Sequence, residues 1–147
     1  MKSIAKNKRA YFEYYILDKF TAGIKLQGSE VKSVRNSKVS IVEAYCFISN
    51  GELFIKGMHI AEHKEGGKHN NHQPLRDRKL LMKKKEIIKL DESVAQKGLT
   101  IVPIEVFISD TGFIKVEIGL AKGKHLYDKR NSIKEKDLKR DLERNTN

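Results

Sequence analysis

Tyr45-Cys46-Phe47-Ile48-Ser49-Asn50-Gly51-Glu52-Leu53-Phe54-Ile55 is the stretch whose reading decides the fold. Two short apolar-rich runs flank Asn50-Gly51, the dipeptide best suited to the two positive-φ positions of a tight hairpin turn. The first run extends an alternation that starts at Val39, so one face of that strand is apolar. A two-residue turn joins antiparallel neighbours. An antiparallel sheet is therefore expected around this hairpin.

The same pattern continues on both sides. From Tyr11 to Asp18 the chain is aromatic and β-branched. Phe12, Tyr14 and Ile16 share one parity and Tyr11, Tyr15 and Leu17 the other, which reads as a strand buried to some degree on both faces. Thr21 to Gln27 predicts a second strand with Ile24 and Leu26 on one face. Ser29 to Arg35 breaks the alternation, because Val31 and Val34 lie three apart as on a short helix. Ala61 to Pro74 is rich in Gly, His and Asn and reads as a loop. After Pro74, Leu80, Leu81, Ile87, Ile88 and Val94 recur at helical spacing, with Gly98 placed to end the helix. Thr100 to Ser109 and Phe113 to Leu120 read as two further strands joined by Asp110-Thr111-Gly112.

About six hairpin-connected strands with one short and one longer helix define a mainly β fold: an OB-like closed antiparallel β-barrel. Such barrels commonly bind nucleic acid or oligosaccharide, and the fold alone does not choose between them. Residues 1–122 make the expected barrel domain. Residues 123–147 form a charged tail with sparse apolar residues, Leu126, Tyr127, Ile133, Leu138 and Leu142. Ser132-Ile133-Lys134-Glu135 fits a capping box and Glu135 precedes Lys139 by one turn, so the tail can be a helix. With so little apolar surface it is expected to be disordered in isolation, either ordering on a partner or remaining a solvated terminus.

Charge narrows the partner. Thirty Lys and Arg against nineteen Asp and Glu in 147 residues give a net charge of +11, a field that attracts RNA, DNA or anionic lipid. There is no Trp, no lipidation motif and no stretch near the ~20 apolar residues of a membrane-spanning helix, so a membrane is not the expected partner. No helix-turn-helix or zinc-finger pattern marks a DNA reader. Structured RNA, read through phosphate, 2′-hydroxyl and unpaired bases, fits best. Cys46 stands alone, which excludes an intrachain disulfide and suits a cytoplasmic location.

Catalytic chemistry finds no support. There is no nucleophile with a base, no paired carboxylates in an apolar setting and no Walker glycine loop. His63, His69 and His72 share one loop, but their spacing fits no common zinc site and a solvated loop is the plainer reading. No cofactor or metal is expected. The basic clusters say more: Asn7-Lys8-Arg9, then Lys32 and Arg35 on one face of the short helix, then Arg76, Arg78 and Lys79 at the start of the long one. Each cluster alone is an ordinary solvated face; three around one small barrel suggest a shared RNA footprint.

Gly23-Ile24-Lys25-Leu26-Gln27-Gly28-Ser29-Glu30-Val31-Lys32-Ser33-Val34-Arg35 resembles the signature of the SmpB family, the SsrA-binding proteins of bacteria. So do Asn7-Lys8-Arg9-Ala10, Arg78-Lys79-Leu80-Leu81, Gly98-Leu99-Thr100-Ile101-Val102-Pro103 and Gly119-Leu120-Ala121-Lys122-Gly123-Lys124, followed by Tyr127-Asp128-Lys129-Arg130. These motifs span nearly the whole chain in the family's order.

The resemblance implies a barrel, expected to be monomeric, that binds the tRNA-like end of transfer-messenger RNA (SsrA RNA) and delivers it to stalled ribosomes. It also implies a tail that reaches the decoding centre and folds in the empty messenger channel of the small subunit. By that likeness Asn7, Gly23 and Leu81 join the basic residues as RNA contacts, Leu81 being equally readable as helix core. Gly123, Lys124, Tyr127, Asp128, Lys129, Arg130, Ile133, Lys134 and Glu135 become ribosome-facing tail residues. Thr21 stands where many members carry a glutamate, and Tyr127 where some carry His. A general OB-barrel RNA-binding or ribosome-associated factor is the alternative; it would need no Asp-Lys-Arg tail motif.

Overall fold

The structure, a computed structural model, describes residues 1–63, 67 and 70–125. In chain order the elements are β1 (Lys2–Lys6), α1 (Lys8–Glu13), β2 (Tyr14–Ile24), α2 (Gly28–Arg35), β3 (Val39–Ser40), β4 (Tyr45–Ser49), β5 (Glu52–Lys56), β6 (His59–Ile60), β7 (Arg78–Leu81), α3 (Lys84–Lys97), β8 (Thr100–Ile108) and β9 (Ile114–Gly123). The hairpin forms as read: Phe47 faces Phe54, and Asn50 and Gly51 both take positive φ (51° and 77°), the requirement of a type I′ turn.

The strands run β8-β4-β5-β7-β2-β9, and β9 pairs back onto β8, so six antiparallel strands close into a ring. β1 is added outside on β8, and β3 pairs β6 as a separate two-stranded ribbon. Inward-facing Leu53, Ile55, Leu80, Val106, Val116 and Ile118 are fully buried. Val34 of α2 and Leu90 of α3 join the same core, so the two helices cover the ring with apolar stripes. α3 stops at Gly98, whose φ of 62° is the left-handed cap expected there. The barrel-like architecture is the mainly β fold anticipated from the hairpin.

Three local expectations change. Residues Tyr11 to Glu13 belong to a six-residue helix, not to a strand, giving three helices among the described residues instead of two. Ala10 is its one buried residue, and Tyr11 and Phe12 face outward, so the aromatic run is not a two-sided buried strand. β2 then runs unbroken through Asp18 and Phe20 with one irregularity between Ile16 and Asp18. Finally, Arg78, Lys79 and Leu81 do not open the long helix. They lie in β7, hydrogen-bonded between β5 and β2, and the helix begins only at Lys84.

Candidate nucleic-acid interface

Strand parity decides what the third basic cluster can do. In β7, residues 78 and 80 point inward and 79 and 81 outward. Arg78 is therefore fully buried, where sequence reading placed it on an exposed helix start. Its guanidinium donates to Glu30, to the Met58 carbonyl at 2.6 Å and to the Pro74 carbonyl at 3.1 Å. It ties α2 to the two chain segments that flank the glycine- and histidine-rich loop and has no face left for phosphate.

Glu30, a residue sequence reading passed over, is the centre of this clamp. Burial pushes its carboxyl up, but hydrogen bonds from Arg76 (2.5 Å), the Gln27 N–H (2.8 Å) and Arg78 outweigh that and hold it below the ordinary carboxylate value. The signal was present in sequence as a Gln27-Gly28-Ser29-Glu30 helix start, with the acid at the third helical position. His72 is also structural: its Nε2 donates to the Ile60 carbonyl at 2.9 Å and its Nδ1 meets Ser29 Oγ at 2.8 Å, so it is a buried brace and not a solvated loop residue.

The other expected contacts fall into two surfaces. Leu81 is 50% exposed on the outer wall and faces Gly23 in register. A Cβ built on Gly23 would lie 3.4 Å from the Leu81 side chain, so glycine lets the two strands present a flat patch. Lys79 lies beside them, its Nζ 3.2 Å from Glu52. Thr21, exposed and two residues before Gly23, faces Glu117 of β9.

Glu117 in turn lines a cavity of about 210 Å³ together with Lys6, Asn7, Lys8, Tyr11 and Glu105. Asn7 is only 5% exposed, not a free surface amide, because its side-chain N–H donates to the Pro103 carbonyl at 3.0 Å. Its Oδ1, in contrast, has no hydrogen-bond partner. Lys8 is exposed at the rim, and Arg9 bridges Glu13 and Glu43. The first surface therefore runs from Asn7 through Glu117 and Thr21 to Gly23 and Leu81.

The second surface is separate. Lys32 and Arg35 sit on α2, and Arg35 donates to the Gly112 carbonyl in the β8–β9 turn at 3.3 Å. At the chain's other end Gly123 is the last residue of β9, opposite Tyr14. Lys124 is tied to α1: its N–H donates to the Glu13 carbonyl (2.9 Å) and its ammonium to the Tyr11 carbonyl (3.0 Å). Tyr127, Asp128, Lys129, Arg130, Ile133, Lys134 and Glu135 lie outside the described residues, as does His69. No group of His, Cys, Asp and Glu among the described residues could hold a metal, and no described helix is long and apolar enough to cross a membrane. Burial raises the Cys46 thiol far above its ordinary value, so it is no nucleophile.

Fold and surface together define the class: an OB-like barrel whose outer wall sets exposed lysines beside a flat apolar patch, a surface of the kind that suits nucleic acid. Comparison with known proteins is more specific. The profile of the SmpB protein family matches residues 4–147, and the chain belongs to that family. It is 52% identical over 139 residues to an SsrA-binding protein of Phocaeicola vulgatus, covering 95% of this chain and 92% of that one. It is 54% identical over 141 residues to an SsrA-binding protein of Acholeplasma laidlawii (96% and 93%). Among solved structures, a chain from "tmRNA-SmpB: a journey to the center of the bacterial ribosome" superposes with a TM-score of 0.67 at 41% identity, covering 82% of this chain and 84% of that one.

Proposed function

We propose that this protein binds the tRNA-like domain of transfer-messenger RNA and carries it to stalled ribosomes, where the unfinished chain is tagged and the ribosome released. Family membership and relatives named SsrA-binding protein over nearly the whole chain support the reading. The observation that carries it in the structure is the continuous surface from Asn7 through Thr21 to Leu81. It offers an unpaired buried carbonyl oxygen, exposed lysine and a flat apolar patch, the mixture that 2′-hydroxyl, phosphate and unpaired base require.

The protein performs no chemistry of its own; it clamps and presents the RNA in the cytoplasm, as a monomer. The carboxylate that the resemblance expects at Thr21 is supplied across the strand pair by Glu117. Residues 123–147 act afterwards, in the decoding centre and messenger channel of the small subunit. Arg76 and Arg78 leave the list of RNA contacts, since both serve Glu30.

A titration with the tRNA-like domain, a tRNA and duplex DNA at several salt concentrations tests this. The expected result is selective binding to the first, with affinity falling steeply with salt as phosphate counterions are released. Equal affinity for duplex DNA, or a log–log slope near zero, overturns it.

A further inference from the structure

Next to Lys79 the outer wall carries aromatic residues that the sequence reading and the family likeness leave unassigned. Cys46, Leu53 and Ile55 point into the core, so their neighbours Phe47 and Phe54 point out. The two rings face each other across β4 and β5 with centroids 5.4 Å apart and planes 22° from parallel. Tyr45, 47% exposed, stands 6.5 Å from Phe47, and Lys56 is its register partner. Across β5 and β7, Phe54 faces Lys79. Lys25 follows in the same row, its N–H donating to the Lys79 carbonyl at 2.9 Å. One acid, Glu52, sits beside Lys79.

From these contacts we infer that Tyr45, Phe47 and Phe54 form a stacking platform for an unpaired nucleobase of the bound RNA. Lys79, Lys25 and Lys56 take the phosphates on either side. The inference rests on the RNA-binding reading and extends it sideways from Leu81, which is two residues from Lys79 on the same face of β7. Tyr45 is exposed and Phe47 and Phe54 are half-buried on the barrel wall, and none of the three belongs to the core cluster. Flanked by lysines, they match the combination of π-faces and point charges that grips single-stranded RNA without reading its sequence. Net charge of +11 makes an RNA the favoured occupant over a basic or neutral protein surface.

The chain has no tryptophan, so Phe54→Trp places a single reporter in the row. On adding the tRNA-like domain of transfer-messenger RNA its emission should be quenched. Phe47→Leu with Phe54→Leu keeps apolar volume but removes both rings, and should weaken that RNA by roughly tenfold. Tyr45→Ser, at an exposed site where folding is safe, should weaken it by roughly threefold to tenfold. An unquenched reporter with unchanged affinities, while the wild-type protein binds the RNA, overturns the platform and leaves the clamp intact. If the wild type itself fails to bind, both readings fall. Quenching by ribosomes but not by the RNA alone refutes the assignment to this RNA.

Discussion

Arg78→Ala separates a structural arginine from an RNA contact. Its guanidinium is fully buried and makes a hydrogen-bonded ion pair with an equally buried Glu30. Removing one partner of such a pair costs about 3–5 kcal/mol, because the remaining charge stays buried. Arg76 still reaches Glu30 at 2.5 Å in the variant, which places the cost at the lower end, about 3 kcal/mol. Unfolding entropy near 2.1 cal/mol/K per residue gives about 0.25 kcal/mol/K for a barrel of roughly 120 residues, hence a fall in Tm of about 12 °C. Urea unfolding at 25 °C gives the free energy directly, and RNA affinity measured on the folded protein should change less than threefold. A double change, Glu30→Met with Arg78→Met, should cost less than the sum of the two single changes, since no buried charge is then stranded. If Arg78→Ala leaves stability within about 0.5 kcal/mol and weakens RNA binding tenfold, the buried clamp is wrong and Arg78 faces the ligand.

Three other outcomes follow from the same geometry. Glu30 is held below its unfolded carboxyl value of about 4.3, so the stability it confers is complete above that pH and is lost as pH falls through the lower folded value. The drop in urea midpoint between pH 5 and pH 3 should therefore be smaller in Glu30→Gln than in wild type, and equal drops would remove Glu30 as the acid-sensitive group. Gly57→Ala meets both a φ of 81° and a Glu43 carbonyl 2.9 Å from the new Cβ, whereas Gly51→Ala meets only φ 77° and open space. Chemical denaturation should find the first more costly, about 3 kcal/mol against about 1, and equal costs would contradict the close approach. Truncation after His125 keeps every described strand and helix. The barrel should fold and bind RNA, yet fail to support tagging in a purified translation system stalled on a messenger without a stop codon. Tagging at the full-length rate would make the tail a bystander.

What could be read from sequence, and what could not, follows from the range of the forces involved. The Asn50-Gly51 hairpin, the Gly98 cap and the short helix at Gly28–Arg35 depend on local conformational preference, and each stands where it was expected. β7 was misread because Leu80-Leu81 followed by Ile87-Ile88 satisfies a helical stripe as easily as a short strand. Only the pairing partners Leu53 and Ile24, far away in sequence, settle the period. The same error exposed Arg78 on paper, since its burial depends on a carboxylate 48 residues earlier. α1 was missed because Tyr11 and Phe12 look like core residues when they are surface ones. Of the candidate site, Gly23, Leu81 and Lys79 converge on one wall, while Lys32 and Arg35 lie elsewhere. The likeness to the SmpB family conveyed roles that no local pattern carries.

The closure of β9 onto β8 bears on how safely this protein can accumulate. A sheet that meets itself leaves little open edge for a second chain to extend, although the β4–β8 seam is held by one register pair, Cys46 opposite Ile101. Among the described strands of the large sheet, β1 has an outer side left open. That strand is five residues long, is irregular between Ser3 and Ala5, and begins and ends in exposed Lys2 and Lys6. Short length, a bulge and lysines are the features that stop edge-to-edge strand addition. A protein with stacked aromatics on its outer wall can thus wait for its RNA without templating its own aggregation.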